Sequence, residues 1–219
     1  MDLLLSLRDG IRDLHVRIER LPVAVAISEG RVTKPQYIQV LAQLYHIHRC
    51  LEEELALHPF LATVYDSSVM ARADVALQDL TYLGCGEPEV PQPETKELLL
   101  QLQHWSQRSA PALLGALYVL EGSRMGSLVL YRPLARALSV PAELGHGLDY
   151  HISGMTDRPA AWKRFITALL AQPLTRAEQQ HVVDTAITTM AALHDVYAAA
   201  DPMDVSPATS LGALVPTAV

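Results

Sequence analysis

Apolar residues recur along the chain at the spacing of α-helices. The opening stripe consists of Leu7, Ile11, Leu14 and Ile18. Its steps of four, three and four residues place all of them on one helical face. An apolar run from Pro22 to Ile27 follows, and it is predicted to stop at Gly30 because glycine often ends a helix. The first thirty residues therefore predict two helices.

Two capping boxes mark the beginnings of two longer helices. In this pattern a threonine and a glutamine or glutamate three residues later satisfy each other's free backbone amides. The pairs are Thr33–Gln36 and Thr175–Glu178. The first helix tolerates Pro35 in its first turn and is predicted to reach about Leu57, and the second is predicted to reach about Ala199.

Four further helices complete the prediction. They are expected over Val69–Leu83, Glu94–Gln107, Ala110–Leu138 and around Trp162, Phe165, Ile166 and Leu169. The third is expected to be interrupted at Gly115, Gly122, Gly126 and Pro133. The segments Glu87–Pro93 and Gly145–Gly154 are predicted to be loops, the second of which carries His146 and His151.

No segment alternates apolar and polar residues over five or more positions, as a half-buried strand would. The chain is therefore predicted to be all-α, with one helical domain over residues 1–200. Residues 201–219 are rich in proline, serine, threonine and alanine without periodicity, which predicts a flexible C-terminal tail.

Composition narrows the classes of function. The 219 residues carry 17 Lys and Arg against 24 Asp and Glu, a formal net charge of −7, which argues against nucleic acid as a partner. We expect no secretory signal at the start of the chain and no membrane span, since no run of about 18 apolar residues is uninterrupted. The two cysteines, Cys50 and Cys85, form no CxxC pair, so a reducing, cytoplasmic location is expected.

Among nine histidines, His15 stands out because it lies at the edge of the first apolar stripe. Neutral imidazole is a common ligand of iron, zinc and copper. Glu19, four residues later on the same face, could orient the ring through its other nitrogen. The residues alone leave a purely structural role for this histidine open. His48 lies on the apolar stripe of its own helix and is expected to be packed rather than ligating.

The segment Gly122–Ser127 lies inside a run that otherwise favours a helix. Each interior glycine costs a helix about 1 kcal/mol relative to alanine, and glycines four residues apart, Gly122 and Gly126, leave bare backbone on one face. Close packing of two helices is one interpretation. The other is a bent helix whose backbone approaches a flat ligand, with Ser123 beside the gap. A histidine wall and a glycine wall together have the shape of a haem pocket.

Several segments resemble the heme oxygenases. Leu7–His15 resembles the opening helix of that family, and Leu44–Glu54 resembles its second long helix. Ala76–Leu80 matches in place, and Leu120–Gly126 resembles the distal helix with its glycine pair. The resemblance runs from about residue 7 to residue 197. It implies an all-α fold with haem between the first helix and a kinked distal helix.

The resemblance also implies roles for individual residues. His15 would be the proximal iron ligand and Glu19 its neighbouring carboxylate. The distal, catalytic wall would consist of Gly122, Ser123 and Gly126. Basic residues near the haem propionates are expected at Arg8 and at Lys163 or Arg164. That last expectation agrees with chemistry, because two propionates at a pocket mouth call for Lys or Arg.

Two positions depart from the pattern of the family. Mammalian-type members carry an aspartate directly after the first distal glycine, where it organises waters, and this chain has Ser123 there. Some bacterial members also lack that aspartate. The glycine usual after the second distal glycine is Ser127 here, and this serine is expected to narrow the distal side slightly.

Three alternatives remain open at this stage. A di-iron oxygenase would use the Glu-x-x-His pairs Glu143–His146 and Glu178–His181 within packed helices. A thiaminase-like hydrolase would need Cys50 or Cys85 as its nucleophile. A carrier or sensor would bind haem through His15 without degrading it. The run Glu52–Glu54 is interpreted as a solvated face or as a contact for a basic partner.

The favoured interpretation is a heme oxygenase that cleaves haem to biliverdin and releases carbon monoxide and ferrous iron. The resemblance implies haem as substrate and cofactor, dioxygen as co-substrate, and a ferredoxin or flavoprotein reductase as electron donor. The oxidising chemistry would belong to the haem itself.

Overall fold

A computed structural model describes residues 2–88 and 90–200 of the chain, and in this part of it every regular element is helical. The helices are α1 (Leu3–Glu19), α2 (Pro22–Glu29), α3 (Lys34–Ala56), α4 (Ser67–Met70), α5 (Ala73–Tyr82), α6 (Pro93–Arg108), α7 (Leu113–Leu138), α8 (Asp149–Ile152), α9 (Arg158–Leu170) and α10 (Arg176–Ala199). Short 3₁₀ turns cover Pro59–Thr63, Ala110–Ala112 and Met155–Asp157. The all-α prediction is confirmed.

Local signals fix the ends of several helices, as predicted at Gly30, Thr33 and Thr175. Both capping boxes form, at Thr33 before α3 and at Thr175 before α10. Helix α2 ends at Gly30, whose φ of 71° is a left-handed conformation that glycine adopts without a steric penalty. Asp2 caps α1 by accepting a hydrogen bond from the Leu5 amide at 3.0 Å.

Helix α10 organises the packing because it lies against both α1 and α7. Helix α3 packs against α5 and α6, and α7 also contacts α2, α8 and α9. These contacts surround a single cluster of buried apolar side chains. As a result α10 holds α1 and α7 in a fixed position relative to each other.

The closest approach of α7 to α10 occurs at Gly115. A Cβ atom built on this glycine would lie 2.0 Å from the carbonyl oxygen of Val182 and 2.8 Å from the amide nitrogen of Ala186. No side chain fits such a gap. Close helix packing, which the sequence suggested as one interpretation of Gly122 and Gly126, therefore occurs in α7 at Gly115.

The predicted helix Val69–Leu83 is wrong, since the chain forms α4 and α5 with a break between them. Ala71 has an extended conformation with φ −57° and ψ 137°. The amides of Arg72 and Ala73 donate to Glu52 Oε1 at 2.6 and 3.1 Å. A carboxylate from α3 thus caps α5, so the expectation that the whole Glu52–Glu54 run is solvated is wrong for Glu52.

Two further predictions need correction in the second half of the chain. Helix α7 runs without a break through its glycines and Pro133, so the predicted interruption is wrong. The segment Gly145–Gly154 is not wholly a loop, because Asp149–Ile152 form α8 and bury His151. The predicted tail, residues 201–219, lies outside the described residues.

The stretch Ala110–Leu138 is long and apolar enough to cross a membrane by length and composition alone. However, 61% of its most apolar window is buried inside the protein. Burial of this kind is typical of the core helix of a soluble protein.

Candidate functional site

An apolar cleft of about 280 Å³ opens between α1, α7, α9 and α10. Its lining consists of Ile11, His15, Ile18, Tyr118, Val119, Gly122, Ser123, Trp162, Met190, Leu193 and Tyr197. Helix α1 supplies the histidine, and α7 supplies the glycine and the serine. The cleft therefore brings together the two segments that the sequence singled out, although they lie more than 100 residues apart.

On the α1 wall, His15 and Glu19 form a pair one helical turn apart. His15 Nδ1 lies 3.3 Å from Glu19 Oε1, and both side chains are more than half exposed. A carboxylate at Nδ1 favours the tautomer that carries its proton there. The other ring nitrogen, Nε2, is then an acceptor that could ligate a metal.

Arg8 lies on the same face of α1 as His15, two turns earlier. Seven residues of helix span about 10 Å, so Arg8 and His15 mark two ends of one wall. Arg8 is exposed and interacts with Tyr118, and this interaction partly offsets the rise in the pKa of that phenol that burial causes. An exposed cation at the edge of an apolar cleft is suited to a carboxylate of a bound molecule.

On the α7 wall, the two candidate glycines have different surroundings. A Cβ atom on Gly122 would lie 3.5 Å from Cη2 of Trp162, whereas a Cβ atom on Gly126 would meet nothing within 4 Å. Gly122 lines the cleft and Gly126 lies one turn further along the same helix. Neither packs tightly against another helix as Gly115 does, so both leave backbone accessible.

Ser123 lines the cleft next to Gly122, and its hydroxyl already has a partner. Ser123 Oγ donates to the carbonyl of Leu120 at 2.7 Å, one turn back in the same helix. A hydroxyl has one proton and two lone pairs. This serine can therefore accept hydrogen bonds from molecules in the cleft while its proton is engaged.

Ser127 does not narrow the cleft, so that expectation is wrong. Its side chain is buried on the opposite side of α7, where Oγ is hydrogen-bonded to His151 Nδ1 at 2.9 Å. His48 is buried nearby, with Nε2 2.9 Å from the hydroxyl of Tyr150. Burial lowers the pKa of both histidines to about 3. They are neutral packing residues, as expected for His48 but not for His151.

Neither of the two α9 cations that were candidates for a basic role lines the cleft. Lys163 is exposed beside Trp162. Arg164 is also exposed and pairs with Asp157, and it borders a separate cleft of about 200 Å³ with Glu121 and Arg124. Of the basic candidates, Arg8 has the strongest geometric support.

Sequence reasoning missed the aromatic part of the lining. Tyr118, Trp162 and Tyr197 all border the cleft, and the rings of Tyr118 and Trp162 are 5.5 Å apart. Burial raises the pKa of Tyr197 to about 12, so this phenol keeps its proton. The partial burial of Trp162 was predictable because it belongs to the apolar stripe of α9. The stripe does not show which helix this face packs against.

The residues of the alternative sites are scattered. Among the residues that the structure describes, no group of three or more His, Cys, Asp or Glu side chains is arranged to hold a metal ion. Glu143 lies in the loop before α8, and Glu178 caps α10. Cys50 is buried, and burial raises the pKa of its thiol to about 12, which suppresses the nucleophilic thiolate.

Together these groups make a slot with one imidazole, one strip of bare backbone and largely apolar walls. Such a slot can hold a flat apolar molecule, ligate a metal at its centre from His15, and leave the opposite face open at Gly122. A bulky side chain at Gly122 would fill that open face.

The family model and the sequence relatives agree on one family. The sequence model of the family described as heme oxygenase matches residues 1–199. Heme oxygenase 2 of Rattus norvegicus is 25% identical over 193 residues, which cover 84% of this chain and 61% of that relative. The chain thus spans less than two thirds of the length of this relative.

Solved structures give the same result for the fold. The heme oxygenase of Leptospira interrogans has a TM-score of 0.81 at 22% identity, covering 91% of this chain and 100% of that one. Heme oxygenase-2 of Synechocystis sp. PCC 6803, solved in complex with heme and NO, has a TM-score of 0.80 at 23% identity, covering 90% and 84%. These likenesses show the fold, and the match of the family model over almost the whole chain shows that the protein belongs to the heme oxygenase family.

Proposed function

We propose that this protein is a heme oxygenase that binds haem in the cleft between α1 and α7 and opens the macrocycle to biliverdin. Carbon monoxide and ferrous iron would be the other products, dioxygen the co-substrate, and a ferredoxin or flavoprotein reductase the electron donor. One observation carries the proposal: in a chain of this family, His15 and the bare backbone of Gly122 line one apolar cleft. A cytoplasmic location is part of the proposal and is consistent with two free cysteines.

His15 would hold the iron through Nε2. The contact between Nδ1 and Glu19 at 3.3 Å supports this assignment, because a carboxylate there orients the ring and favours the tautomer with a free lone pair on Nε2. Glu19 would then orient the ring without binding the iron itself. The haem supplies the oxidising chemistry, and the protein supplies orientation and access.

Gly122 and Gly126 would form the distal wall. Their role would be to exclude side chains from the haem face so that dioxygen has room to bind there. Ser123 would accept a hydrogen bond from a water molecule beside the bound gas, since its own proton is donated to Leu120. This arrangement keeps a proton source near the dioxygen without adding a negative charge.

The haem propionates would lie at the mouth of the cleft. Arg8 is the cation that the geometry favours for them, because it follows the same face of α1 as His15. Lys163 or Arg164 would have to swing from α9 to reach a propionate, and Arg164 would have to leave Asp157 to do so.

Adding hemin to the purified protein, followed by a reductant in air, tests the proposal. We expect the haem absorption band to appear on binding and then to decay as a bilin band grows. His104→Ala is a suitable control, because His104 is another exposed helical histidine and lies on α6, away from the cleft. If no haem binds, or if haem binding requires His104, the proposed site is wrong.

A haem carrier or sensor is the second candidate, and the state of Ser123 favours it. A serine whose proton is engaged with Leu120 organises waters less strongly than the aspartate of mammalian-type enzymes. The same experiment separates the two functions. A carrier keeps a stable ferrous haem band under reductant and air, whereas the oxygenase converts it to bilin.

A further inference from the structure

A buried arginine at the start of α9 connects three segments through their backbones. Arg158 is 2% exposed. Its Nη1 donates to the carbonyl of Arg124 at 2.8 Å. Its Nη2 donates to the carbonyls of His151 at 2.8 Å and Ser153 at 2.9 Å. The acceptors belong to α7, to α8 and to the residue that follows α8.

The acceptor in α7 is the centre of the glycine wall. Arg124 lies two residues after Gly122 and two residues before Gly126. Glycine weakens a helix because it loses the most backbone entropy on folding. Packing does not compensate at Gly126, where a Cβ atom would meet nothing within 4 Å. The bond from Arg158 thus supports α7 between two glycines that weaken the helix.

The support comes from the side of α7 that is opposite the cleft. The side chains of Arg124 and Ser127 are buried there, whereas Ser123 and Gly126 are exposed. Ser127 adds a second connection to the same partner segment through His151 Nδ1. Helix α8 and Arg158 therefore hold the back of the wall whose front borders the cleft.

A cation at this position is costly, and its hydrogen bonds compensate for the cost. Burial, followed by repulsion from Arg124 and Arg72, lowers the pKa of Arg158 to about 10. The buried Glu121, which pairs with Arg124 at 2.7 Å, opposes this shift. Packing alone would be better served by an apolar side chain. What only an arginine provides here is a planar group that reaches three carbonyls at once.

We propose that Arg158 is a positioning residue: it holds the glycine wall of α7 at the depth and rotation that decide which methine bridge of the haem is attacked. The inference rests on the proposed function, because that wall is the one expected to face the bound dioxygen. A small rotation of α7 about its axis would move Gly122 and Ser123 across the haem face. The four methine bridges are at different places on that face, so the product isomer reports the position of the wall.

The test compares Arg158→Met, which keeps bulk but makes no hydrogen bonds, with Arg158→Lys, which keeps the charge and part of the bonding. Leu102→Ala is the control for general loss of stability, because Leu102 is fully buried in α6, which is not part of the cleft. The first measurement is amide hydrogen exchange in the protein without haem. We expect exchange across residues 122–130 to be about tenfold faster in Arg158→Met, the effect of losing the one hydrogen bond of the three that Arg158 makes to α7. In Leu102→Ala, any faster amide exchange should follow the loss of global stability and should not be concentrated in residues 122–130.

The second measurement is the ratio of bilin isomers produced by each protein. We expect minor isomers to rise several-fold in Arg158→Met and less in Arg158→Lys, and to stay at the wild-type level in Leu102→Ala. Unchanged exchange and unchanged isomer ratio in the Met variant would overturn the inference. If the Met variant does not fold, the same two results in the Lys variant would overturn it. A wild-type protein that forms no bilin contradicts the proposed function instead, and the exchange experiment still decides whether Arg158 holds α7.

Discussion

Three glycines in one helix offer a matched test of the packing, because the same substitution should have opposite effects at two of them. Gly115→Ala would place a Cβ atom 2.0 Å from the carbonyl oxygen of Val182. To reach even 3.0 Å, α7 and α10 would have to separate by about 1 Å, and no flexible side chain is there to yield. Gly126→Ala would place its Cβ atom in open space.

The magnitudes follow from two opposing contributions. Replacing a helical glycine by alanine stabilises by about 1 kcal/mol, while forcing extra atoms into a packed core costs about 1–3 kcal/mol and occasionally more. Because the clash at Gly115 is with backbone, the cost should be at the upper end of that range, and we expect a net loss of about 2 kcal/mol in the free energy of unfolding. At Gly126 we expect a gain of about 0.5–1 kcal/mol. Gly122→Ala should gain a similar amount, about 0.5–1 kcal/mol, because 3.5 Å from Trp162 is an ordinary van der Waals contact.

Urea denaturation followed by circular dichroism measures these free energies, and thermal melting should separate Gly115→Ala from Gly126→Ala by about 10 °C. The wild-type protein and Gly122→Ala serve as controls measured at the same pH and salt. If Gly115→Ala unfolds within 1 kcal/mol of the wild type, the close approach of α7 and α10 is wrong. A loss of stability in Gly126→Ala would show that this glycine faces packed atoms rather than open space.

Three further predictions concern haem and pH. Gly126→Leu should keep or raise stability but weaken haem or dioxygen binding, measured by haem titration and by the dioxygen affinity of the ferrous complex. Unchanged affinities would show that this glycine is not part of the distal wall. Ser123→Ala should bind haem normally but form bilin more slowly and release more peroxide per electron, whereas Ser123→Asp should retain or modestly raise activity. Equal bilin yields and equal peroxide release in the wild type and Ser123→Ala would exclude this hydroxyl from the proton path. Burial holds the pKa of His48 at about 3 in the folded protein, so the unfolded chain alone takes up a proton as the pH falls below 6.5, and the folded state loses stability on acidification. In His48→Gln the change of the unfolding free energy with pH between pH 6 and 4 should therefore be smaller by about 1.4 kcal/mol per pH unit. Urea denaturation at several pH values measures this slope, and an unchanged slope would show that His48 is not held neutral.

Features set by neighbouring residues were predictable from the sequence. The capping boxes at Thr33 and Thr175 involve residues three positions apart, and both helices begin as predicted. The same holds for the turn at Gly30 and for the pairing of His15 with Glu19, which lie on adjacent turns of one helix. Such contacts form whenever the local helix forms.

Features set by distant residues were not predictable in this way. The break before α5 depends on Glu52, which lies 20 residues away from the Arg72 amide that it accepts. The burial of His151 depends on Ser127, 24 residues earlier. Periodicity identifies a buried face but not the element it meets.

The candidate site also combines features that were predictable from the sequence with features that were not. Its two principal walls were identifiable because the resemblance and the glycine spacing both pointed to them. The aromatic lining of Tyr118 and Trp162 depends on how α7 meets α9. The three hydrogen bonds of Arg158 depend on how the start of α9 packs against α7 and α8. The sequence contains no local pattern that predicts them.

The central claim, that His15 holds haem iron against the glycine wall of α7, is tested most directly by rescue with free imidazole. The ferric spectrum and the bilin yield are measured for the wild type, His104→Ala and His15→Ala, with and without added imidazole. We predict that His15→Ala alone loses the histidine-ligated spectrum and bilin formation, and that imidazole restores both, because it can occupy the space left by the ring. A His15→Ala protein that keeps the wild-type spectrum and forms bilin without imidazole would contradict the account.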